Sequence, residues 1–133
     1  MGARRHDVTR ARAAPLLLGI ACLAALDVAE AYTRYRQPRV AFGAIAAKPG
    51  TETFGYAYDF PTSRAAHVEA LRQCGDDSCE VLVGFRNGCG AAAVARERHK
   101  IVAVEGATRA EAEAKALREC GADCEILTWA CTK

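Results

Sequence analysis

Residues 62–82 (TSRAAHVEALRQCGDDSCEVL) recur as residues 108–127 (TRAEAEAKALRECGADCEIL), so this chain folds as one unit written twice. An offset of 46 positions lays Thr62 on Thr108, Ala66 on Ala112, Ala70-Leu71-Arg72 on Ala116-Leu117-Arg118 and Cys74-Gly75 on Cys120-Gly121. After a one-residue deletion, Cys79-Glu80 falls on Cys124-Glu125 and Leu82 on Leu127. Upstream, Gly43-Ala44-Ile45-Ala46 falls on Gly90-Ala91-Ala92-Ala93. A solenoid needs about three or more repeats to bury its core, so two copies imply a duplicated supersecondary unit.

Each copy has the same expected layout. Val40 to Lys48 is an apolar strand, Pro49-Gly50 a turn, and Thr53 to Phe60 a second strand with aromatic residues at alternate positions, Phe54, Tyr56, Tyr58 and Phe60. Thr62 or Ser63 caps a helix whose stripe is Ala66, Ala70, Leu71 and Cys74. In the second copy Thr108 and Glu111 form a capping box ahead of Ala112, Ala116, Leu117 and Cys120. Gly75 and Gly121 stand where a helix ends in a left-handed residue, and Cys79 to Phe85 and Cys124 to Ala130 return as strands. The expected fold class is α+β: a duplicated strand-strand-helix-strand unit, about six mostly antiparallel strands with two helices on one face, stapled by disulfides.

The first 31 residues read as a secretory signal peptide. Arg4, Arg5, Arg10 and Arg12 give a basic start, Leu16 to Leu26 is apolar, and Ala29-Glu30-Ala31 fits the cleavage pattern. The apolar run falls short of the roughly 20 residues a membrane span needs. A cut after Ala31, an uncleaved anchor and lipidation at Cys22 are the readings it allows, and Gly19 weighs against the last. Residues 32–39 then form a short linker, and 40–133 a single disulfide-bonded domain of two repeats, 40–86 and 89–131. Of 18 basic and 16 acidic residues, four and three lie in the first 31, leaving 14 against 13. Such a balance gives no basic footprint for nucleic acid.

Six cysteines remain in a small exported domain, which reads as a disulfide framework. Cys74 and Cys79 hold the same places as Cys120 and Cys124, so each copy closes its own bridge and Cys89 is left to Cys131. In the chain-entropy estimate each short loop contributes about 2 kcal/mol and the long one about 4. The competing zinc reading would gather Cys74, Cys79, Cys120 and Cys124, but their spacings and the leader argue against it.

Gly43-Ala44-Ile45-Ala46, Arg64-Ala65-Ala66, Cys74-Gly75 to Cys79, Phe85 to Cys89-Gly90-Ala91, Thr108-Arg109-Ala110 and the terminal Trp129-Ala130-Cys131 resemble a bacterial family of secreted proteins classed as a domain of unknown function, with mycobacterial and proteobacterial members. The resemblance covers about residues 41–132. It implies export and a small disulfide-bonded module, and brings no assigned enzymatic activity or catalytic residues. Some mycobacterial members lack equivalents of Cys120 and Cys124, which agrees with those two pairing together.

The residues assemble no catalytic set and no cofactor motif. Beyond the leader there are two serines, Ser63 and Ser78, and neither lies in a Gly-x-Ser-x-Gly elbow. His67 reads as a solvent-face histidine beside Glu69, and His99 lies in the charged turn Arg96–Lys100. Asp76-Asp77 suits a tight corner, while Glu80 and Glu125 are expected to pair with Arg72 and Arg118. The candidate binding residues are Phe54, Tyr56, Tyr58, Phe60 and Trp129, as core filling or as an exposed patch for a protein or a glycan, together with Asn87. The expected function is a secreted or cell-envelope, non-catalytic binding or effector module. The alternatives are a small extracellular hydrolase using His67 or His99 with a carboxylate, and a protease or lysozyme inhibitor presenting Asn87-Gly88 or Pro49-Gly50. Intact mass of the exported protein, unreduced and treated with an alkylating reagent, should show cleavage near Ala31, six protons missing and no adduct; free thiols or bound zinc would overturn the framework.

Overall fold

The computed structural model describes residues 39–133; the leader, Cys22 and all of the linker but Arg39 lie outside the described residues. Val40–Lys133 forms one compact unit. Its elements are β1 (Phe42–Ala47), β2 (Phe54–Phe60), α1 (Ser63–Cys74), β3 (Glu80–Arg86), β4 (Cys89–Ala95), a 3-10 turn (Arg96–Arg98), β5 (Lys100–Gly106), α2 (Arg109–Cys120) and β6 (Glu125–Cys131). The order strand-strand-helix-strand thus occurs twice, and all strand pairings are antiparallel.

The strands divide into two three-stranded sheets, ordered β2-β1-β3 and β5-β4-β6. Alternation along the central strands explains the layering. Ala44 and Ala46 of β1 point outward onto Ala66, Ala70 and Cys74 of α1. Ile45, between them, points inward to Phe85, Ala92 and Ala130. In β4, Ala91, Ala93 and Ala95 likewise meet Ala112, Ala116 and Cys120 of α2. The order of layers is therefore α1, sheet, sheet, α2. Both helices were expected on one layer over one sheet; instead each covers its own sheet, on opposite outer faces. The reason is that β1 and β4 are apolar on both sides, so each central strand needs a cover on both faces.

Small side chains set the distances between layers. Every residue in the two helix–sheet clusters that is fully buried is alanine or cysteine. Gly55 permits the closest approach, since a Cβ there would collide with the α1 backbone at Ala70 and Cys74. Between the sheets, the Phe85 ring lies across Gly43 of β1 and Gly90 of β4; a Cβ on Gly90 would stand 2.7 Å from Phe85 Cδ1.

Thr62 Oγ1 accepts from the Ala65 N–H at 3.1 Å and Thr108 Oγ1 from the Glu111 N–H at 3.2 Å, capping the two helices. Glu111 accepts not from the Thr108 N–H, as the expected capping box has it, but from the Ala107 N–H one residue earlier, at 3.1 Å. Gly75 is left-handed at φ 73° and ψ 14°, whereas Gly121, at φ 97° and ψ −158°, leaves α2 by a wider bend. At that end Lys100 Nζ donates to the Glu119 and Cys120 carbonyls, each at 3.0 Å, and Arg98 donates to the Ala122 carbonyl. Cations there complement the negative end of the helix.

Cys74–Cys79, Cys89–Cys131 and Cys120–Cys124 are bonded, with Cα separations of 6.3, 4.0 and 6.0 Å. Cys89 and Cys131 face each other in the β4–β6 register, so the long bridge closes the second copy on itself. No bridge among the three joins the two halves. Asn87 turns between them at φ 47°, donating its N–H to the Ala41 carbonyl at 2.9 Å while its Oδ1 accepts from the Ala41 N–H at 2.9 Å.

Two outcomes follow from the packing. Phe85→Ala should lower unfolding free energy by about 3–5 kcal/mol in a denaturant titration, and Gly43→Ala, whose Cβ would enter the same ring, by about 1–3 kcal/mol. A loss below about 1 kcal/mol for both would show that the ring does not join the sheets. The second concerns Asp76, whose carboxylate accepts from Lys48 Nζ at 2.7 Å and from the Ser78 N–H at 2.8 Å. The Lys48 hydrogen bond, then that from Ser78, holds its carboxyl below the usual range. A depressed carboxylate stabilises the fold above its unfolded pKa and loses that contribution as pH falls through the folded value. The denaturation midpoint of the wild type should therefore fall more between pH 5 and about 2 than that of Asp76→Asn; parallel curves would exclude the contribution.

Candidate functional site

The β2 and β6 edges lie on the same side of the sheet stack, and the space between them is a groove of about 840 Å³. Tyr56 opposes Ile45 in the β1–β2 register, so Tyr56 and Tyr58 share the strand face that turns toward the second sheet. At the edge both remain part-exposed among the described residues. Tyr56 is 36% exposed and Tyr58 45%, with ring centroids 6.3 Å apart and planes inclined by 12°. The opposite wall is the continuous run Ile126–Cys131 of edge strand β6. Trp129, 40% exposed, opposes Ala91 and so lies on the α2 side of its sheet. There the Arg109 guanidinium sits 3.8 Å from the centre of the indole ring, and Arg109 Nε is held by Glu113 Oε1 at 2.7 Å. A cation over an indole stabilises the pair and fixes the ring's tilt. At one end Asp59, at φ 61°, accepts from the Lys133 N–H at 2.7 Å.

The aromatic set of the sequence therefore splits. Tyr56, Tyr58 and Trp129 line the groove, Phe54 and Phe60 are half-buried, and Phe85 is core at 4% exposure. Asn87 lies in the turn between the halves, with its backbone N–H and side-chain oxygen committed to Ala41. Arg109 and Glu113 were not among the candidates. Their i, i+4 spacing on α2 was legible, but nothing in sequence placed that face over Trp129.

The first copy carries a counterpart. Ser63, His67 and Gly84 hold the places of Arg109, Glu113 and Trp129. Ser63 Oγ and His67 Nε2 are 3.2 Å apart, and the imidazole lies over Gly84, where a Cβ would stand 2.7 Å from Nε2. His67 is therefore half-buried rather than simply on the solvent face. Phe42, Arg86 and Glu105 line the same shallow cleft of about 340 Å³. Glu69 does not serve this histidine: its carboxylate binds Arg72 at 2.6 and 2.8 Å and Gln73 at 2.9 Å, which lowers its pKa to about 2. Arg72 is thereby spent on Glu69, and Glu125 pairs with Arg96, so the expected pairing of Glu80 and Glu125 with Arg72 and Arg118 gives way to these partners. His99 follows the 3-10 turn at φ 50° and lines a hollow with Glu52 and Arg96, which are themselves an ion pair.

The four cysteines of the zinc reading are bonded in two separate bridges, and among the described residues no group of three or more His, Cys, Asp or Glu side chains is placed to hold a metal ion. Among the described residues, no helix is long and apolar enough to cross a membrane.

Residues 42–131 match the family described as Domain of unknown function (DUF4189). Protein Rv1269c of Mycobacterium tuberculosis and Protein Mb1300c of Mycobacterium bovis are each 41% identical to this chain over 90 residues, 68% of either sequence. Among solved structures, the NMR structure of Rv1813c from Mycobacterium tuberculosis is similar at a TM-score of 0.57 and 34% identity, covering 71% of this chain and 78% of that one. With the match spanning both halves of the two-sheet unit, the chain belongs to the DUF4189 family, a domain of unknown function.

Proposed function

We propose that this protein is a non-catalytic binding module, exported to the cell envelope or beyond, that takes an extended segment of a partner protein in the groove between β2 and β6. The observation that carries this reading is the pair of walls: two stacked tyrosines on one edge strand face an unbroken run of another, with a guanidinium-backed indole beside it. Aromatic rings supply contact area at small entropic cost. An edge strand offers backbone donors and acceptors along its length, which favours a peptide over a glycan. Three disulfides suit an oxidising compartment.

The inhibitor reading is a special case in which the groove, not the Asn87-Gly88 turn, presents the contact surface. The hydrolase reading draws support from the Ser63–His67 contact at 3.2 Å. Its carboxylate would be Glu105, which lines the same cleft.

Trp129 is the sole tryptophan of the chain, so its fluorescence reports on the groove directly. Peptides selected from a random displayed library should shift that fluorescence, and in titration calorimetry Tyr58→Ala or Trp129→Ala should weaken their binding by roughly tenfold or more while leaving circular dichroism unchanged. Selected peptides whose affinity survives both substitutions would sink the groove as the binding site. Oligosaccharides that shift the signal where peptides do not would replace the protein partner by a glycan. Ester hydrolysis lost in both Ser63→Ala and His67→Ala would establish the enzyme reading instead.

A further inference from the structure

We infer that the Cys120–Cys124 bridge is a thiol–disulfide exchange site, with Cys124 as the sulfur that meets the substrate thiol. The two corner bridges hold matching places in the repeat but have different surroundings. Arg98 Nη2 lies 3.4 Å from Cys124 Sγ. A guanidinium at that distance stabilises a thiolate and so lowers the thiol's pKa. At the corresponding corner of the first copy the cation, Lys48, is bound to Asp76.

Access has the asymmetry that exchange requires. Cys120, the last residue of α2, is 1% exposed, whereas Cys124 is half-buried and lines an open hollow of about 540 Å³. The charge also belongs on Cys124, because Cys120 sits at the negative end of the helix. Of the other charged groups there, Arg96 is taken by Glu52 and Glu125, and Lys100 caps the α2 carbonyls. Glu97 and Asp123 line the hollow and oppose Arg98 in part, and His99 turns away into the neighbouring hollow with Glu52. Only Arg98 among these donates to the sulfur.

The chemistry balances with a thiol as the co-reactant. A substrate thiolate attacks Cys124 Sγ, the Cys120–Cys124 bond breaks, and Cys120 leaves with the electron pair and takes a proton. A second substrate thiolate attacks the substrate sulfur of the mixed disulfide and expels Cys124 as a thiolate beside Arg98. Two substrate thiols are oxidised to a disulfide, and the bridge gains two electrons. The substrate class is thus a thiol pair, of which two glutathione molecules are the simplest case.

The test uses the folded, fully oxidised protein equilibrated in glutathione buffers, with freed cysteines alkylated and located by peptide mass. Cys120–Cys124 should be half-open at a reducing strength about tenfold lower than Cys74–Cys79, because a thiolate held beside Arg98 favours the open form. Arg98→Met should bring the two midpoints within about threefold, Arg98→Lys should keep part of the gap, and Lys100→Met, which loses only the helix contacts, should leave it intact. Circular dichroism of the oxidised variants checks that each is folded. Opening of Cys74–Cys79 together with or before Cys120–Cys124 in the wild type overturns the proposal, and so does a gap that survives Arg98→Met.

Discussion

The Phe85 ring lies across Gly43 of one sheet and Gly90 of the other, and it is the bulkiest side chain in a contact layer that also holds Ile45, Ala92 and Ala130, with Val83 and Ala103 packed against them. Because none of the three disulfides joins the halves, this apolar layer holds them together, with the Arg96–Glu52 ion pair and the Lys133 N–H donated to Asp59 crossing between them at the edges. The register of the stack follows from it. Once the ring occupies the space that two glycines leave, β1 lies over β4, and the edges β2 and β6 are brought to the same side. The groove exists because those edges meet there without covering each other.

The bridges act within halves, and this divides their work. Cys74–Cys79 and Cys120–Cys124 each clamp a helix to the strand that follows it. Cys89–Cys131 ties the first strand of the second copy to its last, where the first copy pairs Phe42 with Arg86. The fully buried residues of the helix–sheet clusters are alanine and cysteine, whose small side chains contribute little apolar area each, so covalent links within each half add to their stability.

The two candidate clefts differ where one copy departs from the other. The places held by Ser63, His67 and Gly84 in one copy are held by Arg109, Glu113 and Trp129 in the other, so one cleft carries a hydroxyl and an imidazole and the other an ion pair and an indole. The corner bridges differ too: Arg98 donates to Cys124 Sγ in the second copy, while in the first the nearby cation, Lys48, is bound to Asp76. A duplicated scaffold gives equivalent positions equivalent backbone geometry, so a change of side chain at one copy alters local chemistry without moving the frame.

The amino-acid sequence alone specifies the α+β class, the order of elements, the helix cap at Thr108 and, between Thr62 and Ser63, the first cap, and the cysteine pairing, because each of these depends on residues close in the chain or on the repeat's own register. It did not determine that the strands part into two sheets with the helices outside, since an apolar strand such as Gly90–Ala95 reads alike whether its second face meets a helix or another sheet. Nor did it separate Tyr56 and Tyr58, at an open edge, from Phe85, buried between glycines, although all are aromatic residues in strands. Period-2 alternation says which residues share a face. Only the packing of one sheet on the other decides which faces are covered, and hence that Arg109, 20 positions before Trp129 in sequence, comes to lie on its ring.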